Sequence, residues 1–205
     1  MAESRAARHI RVMSQIHAVA VFCGSRTGSD PAYRAAAQAL GHGLAQAGIR
    51  LVYGGGRIGL MGVMADAALQ AGGKVTGVIP EFLSRREVAH AAVSELIVTD
   101  SMHSRKQRMF EASDAFISLP GGLGTLDETI EIITWRQLRL HDKPILICDV
   151  TGSAAPFLAT IEAAIAADFA TSATRALYEV VAGVPAALQR LAHLHRAAQS
   201  EAARL

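Results

Sequence analysis

The sequence predicts an α/β protein: a single Rossmann-like domain with a doubly wound, mainly parallel sheet of about seven strands flanked by helices. Seven short apolar runs alternate with amphipathic segments from residue 17 onward. Several of these runs are apolar at successive positions, which is typical of strands buried on both faces of a parallel sheet. A chain of 205 residues is also the right length for one domain with a sizeable core.

The predicted strands are the apolar runs that are flanked by turn-forming or polar residues. We place them at 18–23, 49–53, 74–79, 95–98, 115–119, 145–149 and 177–181. Repeated strand–helix units of this kind form parallel sheets whose ligands bind at the carboxyl ends of the strands. We therefore expect one nucleotide-binding domain over residues 17–199, with tails at 1–16 and 200–205.

The helices between these strands have recognisable start and stop signals. The segment Ser29-Asp30-Pro31 provides a cap and a first-turn proline for the first helix, and Gly48 closes it. Ser101 can cap the helix that follows the fourth strand. The segment 125–141 has apolar residues at helical spacing and stops before Pro144.

Composition and charge argue against several classes of protein. Hydrophobic residues make up 51% of the chain and charged residues 19%, which is typical of a globular protein. The net charge of +2 is too small to indicate nucleic acid or a membrane surface as a partner. No apolar stretch reaches the roughly 20 residues of a membrane span. Cys23 and Cys148 lie in strand-like runs without metal-ligand spacing, which indicates free thiols in a reducing, cytoplasmic location.

The most informative segment is the glycine-rich turn at 120–128, which reads PGGLGTLDE between an apolar run and an amphipathic segment. Its glycines let a ligand approach the main chain, and a helix N-terminus beside them suits phosphate. The alternative is structural, because Thr125 as N-cap and Glu128 three residues later match a capping box. A capping box does not require the run of glycines, which favours a ligand site beside the Glu128 carboxylate.

Two further segments carry ligand-binding signals. The glycine loop at 54–62 matches the dinucleotide pattern G-x-G-x-x-G, although it follows the second strand rather than the first. A dinucleotide fold and simple close packing of a helix on a strand are both open interpretations. Arg105 and Lys106 lie near a helix N-terminus, where cations oppose the helix dipole. An anionic ligand would account for these cations, and a solvated face with acidic neighbours is the alternative.

Together these segments resemble the Lonely Guy (LOG) family of cytokinin riboside 5′-monophosphate phosphoribohydrolases, formerly described as lysine decarboxylase-like. The family pattern P-G-G-x-G-T-x-x-E is present at 120–128, and M-H-x-R-K is present at 102–106. The loop G-G-G-x-x-G-L-M-G matches at 54–62. The likeness extends over roughly residues 17–190.

The resemblance implies hydrolysis of the N-glycosidic bond of adenosine-type nucleoside 5′-monophosphates, with Arg105 and Glu128 as the catalytic pair. It implies a homodimer with a small-molecule nucleotide as ligand, and no metal or organic cofactor. Neither nucleic acid nor a membrane is expected as a partner. We expect substrate contacts from the glycine loops and the segments beside them: Gly24, Ser25, Gly55, Gly56, Glu87, Lys106, Gly121, Gly122, Leu123, Gly124, Thr125, Leu126, Asp127 and Thr134.

Two other functions stay open at the level of sequence. One is a broader nucleotide hydrolase that also accepts AMP, because the residues that bind the base cannot be placed. The other is a nucleotide- or cofactor-binding protein without turnover, against which the intact pair of Arg105 and Glu128 argues. Lysine decarboxylation is disfavoured, because no pyridoxal phosphate site is recognisable.

Overall fold

The computed structural model describes residues 15–84 and 89–202. Within this part of the chain, seven strands pair in parallel and form one sheet. The strands are β1 (Ala18–Phe22), β2 (Arg50–Tyr53), β3 (Val75–Pro80), β4 (Glu95–Thr99), β5 (Ala115–Ser118), β6 (Ile145–Asp149) and β7 (Glu179–Ala182). The helices are α1 (Pro31–Gln46), α2 (Gly59–Gln70), α3 (Glu81–Ser84), α4 (Met102–Glu111), α5 (Leu123–Gln137), α6 (Ala155–Ala166) and α7 (Gly183–Ala202). The predicted α/β, Rossmann-like fold is confirmed.

The sheet reverses its direction of growth at β1. The strand order is β4-β3-β2-β1-β5-β6-β7, so β1 pairs with β2 on one side and with β5 on the other. Val19 of β1, for example, lies opposite Leu51 on one side and Ala115 on the other. In open α/β sheets, this reversal opens a crevice at the carboxyl ends of the two central strands. The fold therefore places the candidate site beyond the ends of β1 and β5.

Successive residues of the central strand contribute to two separate cores. Val19 and Val21 pack with α1, α2 and α7 on one face of the sheet. Ala20 and Phe22 pack on the other face with residues of α4 and α5. Because side chains alternate across a strand, a strand buried on both faces must be apolar at every position. This explains the continuous apolar runs in the sequence.

Several predicted boundaries needed correction. The last strand begins at Glu179 rather than at residue 177, because Ser172–Leu177 forms a 3-10 helix. Helix α5 begins at Leu123 and ends at Gln137, rather than spanning 125–141. Its early start matters for the site described below. The predicted caps of α1 and α4 are present at Asp30 and Ser101.

Both predicted tails lie partly outside the described residues. Of the segment 1–16, the structure describes only the last two residues, of which Ile16 is buried and its carbonyl lies 3.1 Å from Nδ1 of His195. Helix α7 continues to Ala202, into the predicted tail at 200–205. In the described part of the chain, no helix is long and apolar enough to cross a membrane.

Replacing Leu146 with alanine tests the assignment of the core. Leu146 lies on β6 and is completely buried, so Leu146→Ala removes packed apolar atoms and leaves a cavity. We expect a loss of about 2–5 kcal/mol in the free energy of unfolding, measured by urea denaturation. Phe169 is 89% exposed, and Phe169→Ala should change that free energy by less than about 0.5 kcal/mol. Equal losses in the two variants would contradict this assignment.

Candidate functional site

Three loops meet at the carboxyl edge of the sheet, and Gly24 joins them. Its N–H donates to the carbonyl of Pro120 at 3.1 Å, in the loop after β5. Its carbonyl accepts from the N–H of Leu60 at 3.0 Å, in the first turn of α2. At Gly59, with φ +62°, a Cβ atom would lie 2.2 Å from the carbonyl carbon of Ser25, so only glycine fits there. The two glycine-rich motifs of the sequence are therefore parts of one site.

The N-terminus of α5 is open toward this site. Gly122 is the N-cap, and no side chain caps the helix, whereas Asp30 caps α1 and Ser101 caps α4. A Cβ atom on Gly122 or Gly124 would meet nothing within 4 Å, so packing within the chain does not demand either glycine. Uncapped N–H groups at a helix N-terminus bind anions well.

A cavity of about 840 Å³ lies beside this open helix end. It is lined by the loop after β1, the first turn of α1, the glycine turn before α5 and the loop before α6, including Gly24, Ser25, Arg26, Tyr33, Gly121 and Gly122. The predicted contacts Gly24, Ser25, Gly121, Gly122 and Leu123 thus border one space. Leu123 is 85% exposed at its edge.

The capping-box alternative for Thr125 and Glu128 is wrong. Because α5 begins at Leu123, Thr125 lies inside the first turn and is buried. A Cβ atom on Gly121 would lie 2.0 Å from Oγ1 of Thr125, so this threonine packs directly against the glycine turn. The capping box that the structure does contain joins Ser101 and Ser104 at the start of α4.

Glu128 instead forms a buried ion pair with Arg105. Nη2 of Arg105 lies 3.3 Å from Oε1 of Glu128, and their side chains are only 8% and 9% exposed. A Cβ atom on Gly54 would lie 2.1 Å from the same Nη2, so the first glycine loop provides the space for the guanidinium. Among the described residues, Nε of Arg105 has no hydrogen-bond partner. A buried ion pair is expensive to desolvate, which makes this pair a candidate for function rather than for stability.

Lys106 links α4 to α5 beside this pair. Its Nζ lies 3.2 Å from Oδ2 of Asp127 and 3.0 Å from Oε1 of Glu131. Partial burial lowers the pKa of Lys106, but the hydrogen bonds and charges of Glu131 and Asp127 outweigh burial and raise that pKa above its usual value. The acidic neighbours that the sequence left open therefore come from α5. Whether Lys106 and Asp127 also contact substrate stays a prediction.

A neutral thiol lies close to the ion pair. Cys23 follows β1 and is buried, and burial raises the pKa of its thiol, with a further rise from the negative charge of Glu128. Cys148 is also buried and free, and burial, helped by the charge of Asp149, raises its pKa to about 11. Cys23 is therefore an unreactive, apolar side chain near the ion pair rather than a nucleophile.

Some predicted residues lie apart from this cluster or outside the described residues. Thr134 is exposed about three turns along α5, where its hydroxyl donates to the carbonyl of Ile130. Leu126 lies on the same exposed side of α5, and Glu87 lies outside the described residues. Gly55 and Gly56 are buried and pair with the main chain of His90 and Ala89.

Sequence reasoning missed three residues near the site: Gly54, Asp66 and His90. Gly54 was part of a recognised loop, but its contact with Arg105 depends on packing between α4 and β2. Asp66 is the one charged residue of an otherwise largely apolar α2, which is a weak signal that the sequence does offer. Among the described residues, no group of three or more His, Cys, Asp or Glu side chains is placed to hold a metal.

Comparisons with known proteins identify the family. Residues 61–191 match the family model described as "Possible lysine decarboxylase". Cytokinin riboside 5′-monophosphate phosphoribohydrolase of Rhodococcoides fascians is 48% identical over 158 residues, which cover 77% of this chain and 80% of that protein. The chain belongs to the Lonely Guy family. The enzyme LOG2 of Arabidopsis thaliana, with the same activity in its name, is 40% identical over 178 residues, covering 87% of this chain and 84% of that protein.

Solved structures outside these close relatives share the fold. The molybdenum cofactor carrier protein of Chlamydomonas reinhardtii superposes with a TM-score of 0.66 at 22% identity, covering 88% of this chain and 98% of that chain. DNA processing protein A of Helicobacter pylori superposes with a TM-score of 0.59 at 13% identity, covering 90% of this chain and 84% of that chain. At such identities the likeness establishes the fold alone.

Alkylation tests the burial of the two thiols. Because the raised pKa values leave little thiolate, we expect iodoacetamide at about pH 8 to modify neither Cys23 nor Cys148 in the folded protein within an hour or so. Intact-mass measurement should show both thiols modified once denaturant is added. Rapid modification of either cysteine in the folded protein would contradict the burial described above.

Proposed function

We propose that this protein hydrolyses the N-glycosidic bond of cytokinin riboside 5′-monophosphates and releases the free base and ribose 5-phosphate. Relatives with 40% and 48% identity over most of the chain carry this activity in their names. The observation that carries the proposal is the buried pair of Arg105 and Glu128 beside the uncapped N-terminus of α5.

The open end of α5 is suited to the 5′-phosphate. Residues 121–124 are exposed, and the first-turn N–H groups of α5 point out of the helix toward any ligand there. The helix dipole adds partial positive charge at the same place. Phosphate bound there is remote from the bond that breaks, so its binding energy positions the sugar for reaction. A riboside without phosphate loses this contribution.

Glu128 lies one turn beyond the phosphate site and can face the sugar. When the bond between the anomeric carbon and the base breaks, its electron pair leaves with the base and positive charge develops on the ribose. A preorganised carboxylate stabilises that charge or orients the attacking water. The water oxygen then bonds to the anomeric carbon, and one of its protons ends on the base. Because the side chain of Glu128 is more than nine-tenths buried, its charge is weakly screened by solvent.

Arg105 holds the carboxylate and has further donors. A guanidinium stays positively charged and presents five N–H groups in a rigid fork. One nitrogen contacts Glu128, which fixes the orientation of that side chain. Other N–H groups of the fork can reach ribose or phosphate oxygens once substrate is bound. Arg105 therefore both orients the reacting carboxylate and binds substrate.

Replacing Glu128 with glutamine tests its chemical role. Glu128→Gln preserves size but removes the charge, so turnover should fall on the order of 100- to 1000-fold. The assay separates by chromatography the bases released from isopentenyladenosine monophosphate, AMP and the unphosphorylated riboside. Wild-type protein should act on the ribotide, with little release from the riboside. The matched control is Glu111→Gln, an exposed carboxylate at the end of α4, which should retain wild-type turnover.

Three outcomes of this assay would contradict the proposal. Wild-type turnover in Glu128→Gln would remove Glu128 from the mechanism. Equal turnover of riboside and ribotide would contradict anchoring by phosphate. Faster release from AMP than from the isopentenyl ribotide would favour the broader nucleotide hydrolase.

We also propose a homodimer that forms through the outer face of α5. Leu123, Ile130 and Leu138 lie along one side of this helix and are 85%, 45% and 63% exposed. Thr134 lies on the same side, between Ile130 and Leu138. Exposed apolar side chains aligned along one side of a helix are typical of a protein interface. In such a dimer, Thr134 would be presented to the partner subunit, which accounts for its distance from the other predicted contacts.

A charge placed in the stripe tests the dimer. Ile130→Asp should yield monomers at micromolar concentration, because an unpaired carboxylate in an apolar interface must be desolvated. Light scattering coupled to size exclusion measures the mass. Ala39→Asp, on the exposed side of α1, should remain dimeric. A monomeric wild type, or an Ile130→Asp variant that stays dimeric, would contradict this interface.

A further inference from the structure

We propose that His90 and Asp66 are positioning residues that hold the first glycine loop, and through it the guanidinium of Arg105, in the geometry for hydrolysis. The proposal rests on the function proposed above. Neither side chain belongs to the glycine loops or to the catalytic pair. The inference comes from a chain of contacts that leads from α2, through the loop before β4, to the end of β2.

The imidazole of His90 is held from two sides. His90 is 1% exposed, and its Nε2 lies 2.9 Å from Oδ1 of Asp66 on α2. Its Nδ1 accepts the N–H of Ala92 at 3.3 Å. A backbone N–H can only donate, so Nδ1 must be the acceptor. In the neutral ring Nε2 then carries the hydrogen and donates to the Asp66 carboxylate.

The main chain beside His90 is paired with the first glycine loop. The N–H of His90 donates to the carbonyl of Gly55 at 3.0 Å, and Ala89 forms an antiparallel bridge with Gly56. On its other side Gly55, with φ +75°, packs against β3, where a Cβ atom would lie 3.0 Å from Cβ of Ile79. The loop is therefore held between β3 and the segment that His90 anchors.

The residue before Gly55 in this loop contacts the catalytic arginine. A Cβ atom on Gly54 would overlap Nη2 of Arg105 at 2.1 Å, so the guanidinium packs directly against the main chain at Gly54. A shift of Gly55 and Gly56 would shift the main chain at Gly54, and with it Nη2 of Arg105, the nitrogen that contacts Glu128. A misplacement of about 1 Å at a reacting group can lower turnover on the order of 100-fold.

The arrangement differs from that of an ordinary core histidine. The side chain of Asp66 is 46% exposed, so the hydrogen bond to His90 is open to competition from water. A leucine or phenylalanine would fill the same buried space without needing a partner. The pair instead fixes the orientation of the imidazole, which contacts both Asp66 and Ala92. We infer that it sets the position of the loop rather than the stability of the domain.

Steady-state kinetics of full-length variants test the proposal. His90→Phe fills the space but lacks both ring contacts, and kcat for the ribotide should fall on the order of 10- to 100-fold with little change in KM. Asp66→Ala, at a half-exposed position, should show a smaller fall of the same kind. His90→Gln retains a donor toward Asp66 and should recover most of the lost kcat. His195→Gln removes a histidine contact on α7 and should leave kcat unchanged.

A double-mutant cycle asks whether His90 acts through Arg105. In an Arg105→Ala background, the loop at Gly54 no longer has a guanidinium to position. Adding His90→Phe to that background should therefore lower kcat by less than about threefold. A full additional loss in that background would overturn the proposal. So would a loss of kcat in His90→Phe that His90→Gln does not recover.

A spectroscopic measurement tests the positioning without any activity. The Nε–H of Arg105 is buried and should give a separate signal in ¹H–¹⁵N spectra, identified by its absence in Arg105→Lys. This signal should shift in His90→Phe and Asp66→Ala but not in His195→Gln. An unshifted signal in His90→Phe would overturn the positioning role. If wild-type protein releases no base yet the signal shifts, the proposed function fails and the positioning of Arg105 stands.

Discussion

The buried ion pair between Arg105 and Glu128 is the interaction on which the rest of the site depends. Its two charges come from different helices, and both side chains are almost completely buried. Charges taken out of water are tolerated only with well-placed partners, so α4 and α5 must be held at a fixed distance. Lys106 of α4 also joins the two helices, through ion pairs with two carboxylates of α5. At the C-terminal end of α4, Nζ of Lys143 donates to the carbonyl of Phe110. Partial burial keeps the pKa of Lys143 below its usual value.

The two glycine loops have different physical roles around this pair. At Gly59, glycine is required because backbone atoms of Ser25 and Arg26 approach more closely than a Cβ atom allows, and at Gly54 a Cβ atom would displace the guanidinium of Arg105. At Gly122 and Gly124 nothing within the chain occupies the space, and the helix end beside them has no side-chain cap. The first loop therefore packs the interior of the site, while the second leaves room for a ligand. One residue type serves both purposes because it lacks a side chain.

Local patterns predicted the strands well and some of the helix ends less well. All seven strands were predicted from apolar runs. Burial on both faces explains these runs in the five inner strands, whereas β4 and β7 lie at the sheet edges and are largely exposed. The cap of α1 was also predictable, because it is a local contact: the side chain of Asp30 accepts from the N–H of Ala32, two residues on. The capping box at Thr125 failed because α5 begins two residues earlier, at the glycine turn. Acidic neighbours for Lys106 were anticipated in kind, but they lie on α5 rather than on its own segment.

What could be read from the chain was the set of elements, the parallel sheet, the family and the motifs that carry Arg105 and Glu128, since each depends on residues close together in sequence. The contacts between those motifs were decided by packing. The Arg105–Glu128 pair and the space at Gly54 require α4, α5 and β2 to converge at the end of the sheet. The bond between His90 and Asp66 joins residues 24 positions apart, on segments brought together by β3. Sequence spacing carries no information on such contacts, because they depend on how helices settle on a shared sheet.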